Sequence, residues 1–199
     1  MGKNNDKCKR IPTSVIDKVI DDEVWSSNLV PIISDGSNHT AYISSEISSP
    51  IEYNKFVHFL GMLGKDDKVK LYLNSPGGMI DSCMMISNAI KDSKATVVAR
   101  IEGGAASAAT FIAMMCDKVE VGDDAHFMIH NYSHRASGTG NQVREYVEFM
   151  DRELKSTFKR VYKGILTKDE IVSVVEQDKE IWIGAEELRD RLNKIGKLA

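Results

Sequence analysis

Gly103-Gly104-Ala105-Ala106-Ser107-Ala108-Ala109 follows the β-branched run Thr96-Val97-Val98-Ala99-Arg100-Ile101 and leads into Phe111-Ile112-Ala113-Met114-Met115. Such a run closed by a glycine pair reads as a strand and its exit. The small and apolar residues over 105–115 read as a helix buried nearly all round. Together they make one strand–helix unit, and the pattern repeats on both sides. Upstream, Val69-Lys70-Leu71-Tyr72-Leu73 is a short strand closed by Asn74-Ser75-Pro76-Gly77-Gly78, and a helix follows over 80–90. Before it, Pro50 suits the first turn of a helix whose apolar positions are Ile51, Phe56, Val57, Phe59, Leu60 and Leu63. Downstream, residues 119–121 and 127–129 read as strands flanking a turn at Gly122-Asp123-Asp124.

The remaining elements extend the same alternation. Residues 29–33 and 39–43 are paired as a hairpin across Ser34-Asp35-Gly36-Ser37-Asn38. The longest helix is expected over 141–165, with an apolar stripe of Val143, Val147, Met150, Leu154, Phe158, Val161 and Ile165. Thr167 then caps a short helix, with Glu170 at the capping-box position. Ile181-Trp182-Ile183 is a short strand and 185–195 a closing helix. Repeated strand–helix units predict an α/β fold with a largely parallel sheet. Residues 1–28 are polar and charged and are read as a flexible arm, with a short helix over 13–22. Residues 29–199 are read as the folded domain.

Ser107 is the candidate nucleophile. A serine hydroxyl attacks only when a nearby base takes its proton, so it needs a sharp bend and a helix N-terminus to stabilise developing charge. From the local sequence alone, a serine packed in an Ala-rich helix against a sheet explains it equally well. The G-x-S-x-G elbow of the α/β-hydrolases is absent. Ser75-Pro76-Gly77-Gly78 can bring backbone N–H groups to a ligand oxygen, half of an oxyanion hole whose other half is the N–H of Ala108. An ordinary strand-to-helix turn is the plainer reading. No Gly-Lys-Ser/Thr follows, which argues against a phosphate-binding loop. His130 ends an apolar strand and is the candidate general base. His126, His130 and His134 share the spacing of a helical metal face, but Phe127-Met128-Ile129 reads as strand and no cysteine lies nearby, so no metal is expected.

Composition narrows the field. The 199 residues are 42% hydrophobic, enough for one sizeable core, and the net charge of −3 comes from interspersed residues of both signs. That argues against a nucleic-acid binder or a binder of anionic membranes. Cys8, Cys83 and Cys116 are odd in number and form no CxxC pair, which fits a reducing cytoplasm better than a disulfide framework. The N-terminus is basic but lacks the apolar run of a signal peptide, and no stretch reaches the length of a membrane span.

Three motifs in order resemble the proteolytic subunit of the Clp protease, a family of serine peptidases. They are Asn74-Ser75-Pro76-Gly77-Gly78, Gly103-Gly104-Ala105-Ala106-Ser107 and Met128-Ile129-His130. The resemblance runs from about Tyr42 to Ile195. It implies a ClpP/crotonase-like fold of strand–strand–helix units in which the long helix projects as a handle and pairs subunits. It further implies Ser107 as nucleophile, His130 as general base, and Gly78 and Ala108 as donors of the oxyanion-hole N–H groups. A carboxylate must orient the imidazole, and aligning Ala185-Glu186-Glu187-Leu188 with the family's closing helix puts Glu180 in that place. Asp178, two residues earlier, is the rival.

The chain departs from the family at Asn131-Tyr132, where Gln-Pro is usual, and in its N-terminal stretch. Acid–x–Trp before the final helix is closer to the Clp-like head maturation proteases of bacteriophages. The implied partners are a protein or peptide substrate, further copies in a ring, and either an AAA+ unfoldase or phage capsid proteins. No cofactor is implied, and the location is cytoplasmic, that of a host if phage-encoded. Two other readings remain: a crotonase-type acyl-CoA enzyme, which needs no serine–histidine pair, and a catalytically inactive scaffold subunit.

Overall fold

The computed structural model describes residues 30–133 and 135–199. The expected arm and its short helix lie outside them. The elements in order are β1 (Ile32–Asp35), β2 (Asn38–Ile43), a 3-10 turn (Pro50–Tyr53), α1 (Asn54–Met62), β3 (Lys68–Ser75), α2 (Ile80–Asp92) and β4 (Thr96–Ala106). There follow α3 (Ala108–Met115), β5 (Lys118–Val121), β6 (His126–Ile129), α4 (Gly140–Val161), α5 (Lys168–Gln177), β7 (Ile181–Gly184) and α6 (Ala185–Lys194). The fold is mixed α/β around a seven-stranded sheet ordered β1-β2-β3-β4-β6-β7, with β5 also on β4. It is consistent with the ClpP-like fold expected from the sequence. The inner strands run parallel, while β1–β2 and β6–β7 are antiparallel.

Strict alternation builds the sheet's inner face. In β3, Val69, Leu71, Leu73 and Ser75 are buried, and Lys68 and Asn74 point to solvent. In β4, Val97, Ala99 and Ile101 are fully buried. These side chains share one core with Phe56 and Leu60 of α1, Ile86 of α2 and Ile112 of α3. The hairpin expected near residue 36 is present, with Gly36 at φ 61 supplying the left-handed turn between β1 and β2.

The length of β4 is what positions the site. The sequence reading ends this strand near Ile101 and starts the next helix at Ala105. Instead the strand continues to Ala106 and the helix begins at Ala108. The reason is lateral pairing: Val98 to Ile101 pair with β5, and Gly104, Ala105 and Ala106 pair with His126, Phe127 and Met128 of β6. Two short strands thus lie end to end along one long one. Gly122 makes the step between them, donating its N–H to Ile101 O at 2.8 Å, where a Cβ would come within 2.9 Å of Glu102 O.

The long helix also ends earlier than its apolar stripe suggests, at Val161 rather than Ile165. Gly164 adopts φ 88, and a Cβ there would lie 2.7 Å from Ile195 Cγ2. This left-handed turn sends Ile165 and Leu166 into the core, where both are buried. The other end carries a capping box between Thr139 and Gln142 that the sequence reading missed. The expected capping box of Thr167 and Glu170 starts α5, with Glu170 N–H donating to Thr167 Oγ1 at 3.2 Å. No described helix is long and apolar enough to cross a membrane.

Candidate active site

Ser107 stands at the exit of β4 with φ 53 and ψ −126, one of two non-glycine residues at positive φ among those described. Such a backbone costs roughly 1–3 kcal/mol and persists only where its surroundings impose it. Here the Ser107 N–H donates to Met128 O at 2.8 Å, and Thr110 closes on Ser107 O through its N–H at 3.0 Å and its hydroxyl at 2.6 Å. The serine is therefore the elbow before α3 and not a packed helix residue. His130, the residue after β6, places Nε2 2.6 Å from Ser107 Oγ. The structure brings together these two sequence candidates, 23 residues apart in the chain.

The Asn-Ser-Pro-Gly-Gly stretch packs directly against this elbow. Asn74 Oδ1 accepts from the Gly104 N–H at 3.0 Å, tying the end of β3 to β4. Ser75 Oγ donates to Ser45 O at 2.6 Å and accepts from the Gly77 N–H at 3.2 Å. Gly77, at φ 95, sits so near the serine that a Cβ would fall 2.7 Å from both Ala106 O and Ser107 Cβ. Gly78, at φ 147, lies against Ile47 with no room for a Cβ. Ile47 N–H donates to Gly77 O and Met79 N–H to Ile47 O, each at 2.7 Å. Glycine is required at both positions because backbone meets backbone there.

A cleft of about 920 Å³ opens over Ser107 and His130, with Gly78 and Ala108 on its wall. Met79, Phe111, Leu154, Phe158 and Tyr162 make much of it apolar. Sequence reasoning did not assign these residues to the site. Leu154 and Phe158 were visible only as part of the apolar stripe on α4, which in the structure divides between cleft and solvent. The buried Cys83 thiol lies close by, its Sγ 3.3 Å from Ala108 O. Burial pushes that thiol up to about 12, so it stays protonated and is a poor nucleophile. Burial also raises Tyr162, whose hydroxyl lies 2.6 Å from that of Thr110.

The two candidate carboxylates are held differently. Glu180 is exposed, and its Oε2 accepts from Trp182 Nε1 at 3.1 Å. Asp178 caps α5 at φ 52, and its Oδ1 accepts from Asn131 Nδ2 at 2.8 Å. Among the described residues no hydrogen bond joins either to His130. The strand register still separates them. Met128 pairs with Trp182 and Ile129 with Ile181, the last pair of the antiparallel ladder, and one further step in that register would set His130 opposite Glu180. Asn131 and Tyr132, also lining the cleft, were marked in the sequence only as departures from the family pattern.

An α/β sheet that presents a strained serine to a histidine, beside a glycine strap and an apolar cleft, has the parts of a hydrolase. The family model for Clp protease matches residues 38–190, most of the chain. The protein belongs to the Clp protease family. It is 26% identical over 133 residues to the ATP-dependent Clp protease proteolytic subunit 2 of Pseudomonas aeruginosa, a match covering 66% of this chain and 65% of that protein. It therefore spans just under two thirds of that relative's length.

Proposed function

We propose that this chain is a serine endopeptidase in which Ser107 is the nucleophile, His130 the general base and Glu180 the orienting carboxylate. The observation that carries the reading is the 2.6 Å contact between His130 Nε2 and Ser107 Oγ. His130 takes the hydroxyl proton as Oγ attacks the scissile carbonyl, then returns it to the leaving amine. Water activated by the same imidazole hydrolyses the acyl-enzyme. The N–H groups of Gly78 and Ala108 stabilise the oxyanion, a role supported by their place on the cleft wall beside the serine. Glu180 stabilises the imidazolium after rotating from its partner Trp182, a choice supported by the β6–β7 register.

The exposed apolar part of α4 supports self-association into a compartment-forming ring. Tyr146 and Phe149 are 45% and 51% exposed, and beside them Val143, Val147 and Met150 are only half-buried. The relative is named as ATP-dependent. The present chain has no nucleotide-binding motif, so any ATP-driven unfolding belongs to a partner ATPase. Phage capsid proteins are the other partner class. Buried free thiols at Cys83 and Cys116 fit a reducing, cytoplasmic setting. The crotonase reading does not account for the serine–histidine contact, and the scaffold reading differs in expecting no peptide cleavage by the wild type. A fluorophosphonate probe tests the assignment: it should label Ser107 in the wild type and not in Ser107→Ala. Peptide cleavage that survives Ser107→Ala would remove Ser107 from the mechanism.

A further inference from the structure

His130 stands just past the last residue of β6, Ile129, so the strand ladder does not by itself fix its imidazole. The two residues after it are tightly held. The Asn131 side chain donates from Nδ2 to Asp178 Oδ1 at 2.8 Å and to Val175 O at 3.4 Å, and its Oδ1 accepts from the Tyr132 N–H at 3.0 Å. All three bonds need one orientation of the amide, since a flipped amide would turn its oxygen toward a carboxylate. Asp178 is itself tied to α5, a left-handed cap whose backbone N–H donates to Ser173 O. One residue on, Tyr132 Oη donates to Asp151 Oδ1 at 2.9 Å. Asp151 pairs with Lys155 at 3.0 Å, and Lys155 with Glu176 at 3.5 Å. The exit of β6 is therefore pinned at successive residues to α5 and to α4.

We propose that Asn131 is a positioning residue for His130, clipped to Asp178, and that Asp178 anchors this clip and is not the carboxylate of the triad. The inference rests on the peptidase reading, because its catalytic effect runs through His130. The clip sets where the imidazole sits when the chain leaves the sheet. Loss of the clip costs rate more than substrate binding, since displacement of a reacting group by about 1 Å can cost about 10²-fold.

Exchanging donor and acceptor tests the clip in the whole chain. The variants are N131A, N131D, which sets a carboxylate against that of Asp178, and the double exchange N131D/D178N, which restores a hydrogen bond with its polarity reversed. Asparagine accepts the left-handed backbone at 178. Expected are a fall in kcat of about 10- to 100-fold for N131A with little change in KM, a larger fall for N131D, and recovery in the double exchange. Wild-type kcat in N131A overturns the proposal. So does a double exchange no more active than N131D, the result expected if Asp178 were the triad acid. The ¹⁵N resonances of the His130 ring give a readout independent of turnover. They should move in N131A and return in the exchange, and ring signals unmoved by N131A overturn the clip even if the chain proves inactive. Failure of the peptidase reading shows separately, as a wild type that neither cleaves peptides nor takes the fluorophosphonate.

Discussion

Ser107 Oγ and His130 Nε2 meet at 2.6 Å because the C-terminal end of β4 runs parallel beside β6 and the two strands stop within one residue of each other. Ala106 is the last residue of β4 and faces Met128 of β6. The Ser107 N–H to Met128 O bond carries the ladder one step further, to the point where the elbow turns into α3. Removing the hydroxyl leaves that backbone intact. Ser107→Ala should therefore abolish peptide hydrolysis, by about 10⁴-fold or more in kcat, with Tm unchanged. Fluorogenic peptide assays and thermal melts read the two quantities.

Glu180→Gln keeps the side chain's shape and its partner Trp182 but removes the charge that would stabilise an imidazolium. A loss of roughly 10³- to 10⁴-fold in kcat is expected, with KM little changed. Activity near that of wild type in Glu180→Gln would falsify its place in the triad.

Gly78→Ala tests the strap. At φ 147 an L-residue is strained, and the new Cβ would be driven into Ile47 O. Destabilisation of about 1–3 kcal/mol is expected in a denaturant titration, together with loss of activity as the strap lifts from Ser107. The same substitution at Gly61, where nothing lies within 4 Å, is the control and should leave activity in place.

The Arg191–Glu170 pair predicts a pH dependence. Arg191 donates to Glu170 through both terminal nitrogens, at 2.9 and 2.6 Å, and to Ile165 O at 2.8 Å, so it joins α6 to α5 and to the turn that follows α4. Hydrogen bonding to the guanidinium holds the Glu170 carboxyl at about 2, below its usual 4.5. A depressed carboxylate contributes stability above its unfolded-state value and loses it as pH falls toward the folded one. Tm should therefore drop between about pH 5 and pH 2, and Glu170→Gln should flatten that drop. Equal slopes in the two proteins would mean that the pair does not contribute.

Phe149→Glu probes the uncovered face of α4. The side chain is half exposed, so the fold should tolerate a charge within about 0.5 kcal/mol. Sedimentation should show the wild type as an oligomer and the variant as a smaller species. A wild type that sediments as a monomer at micromolar concentration would contradict the ring.

Much of the site was legible in the sequence because its motifs are local. Val69 to Leu73 alternate, the glycines mark backbone contacts, and Met128-Ile129-His130 ends a strand. The elbow at Ser107 was misread as helix because nothing local reveals that Gly104 to Ala106 pair with β6. The end of α4 was misread because Ile165 keeps the helical period while Gly164 breaks the backbone.

By itself, then, the sequence determined the alternation of strands and helices, the family, and the candidacy of Ser107 and of His130, since each is written in a short, periodic or contiguous pattern. Only the tertiary structure decided how far β4 runs, which residues wall the cleft, and that Glu180 and Asp178 stand in different company, one beside Trp182 and the other held by Asn131. Those features depend on register and packing between segments distant in the chain, and no local propensity encodes where two such segments meet.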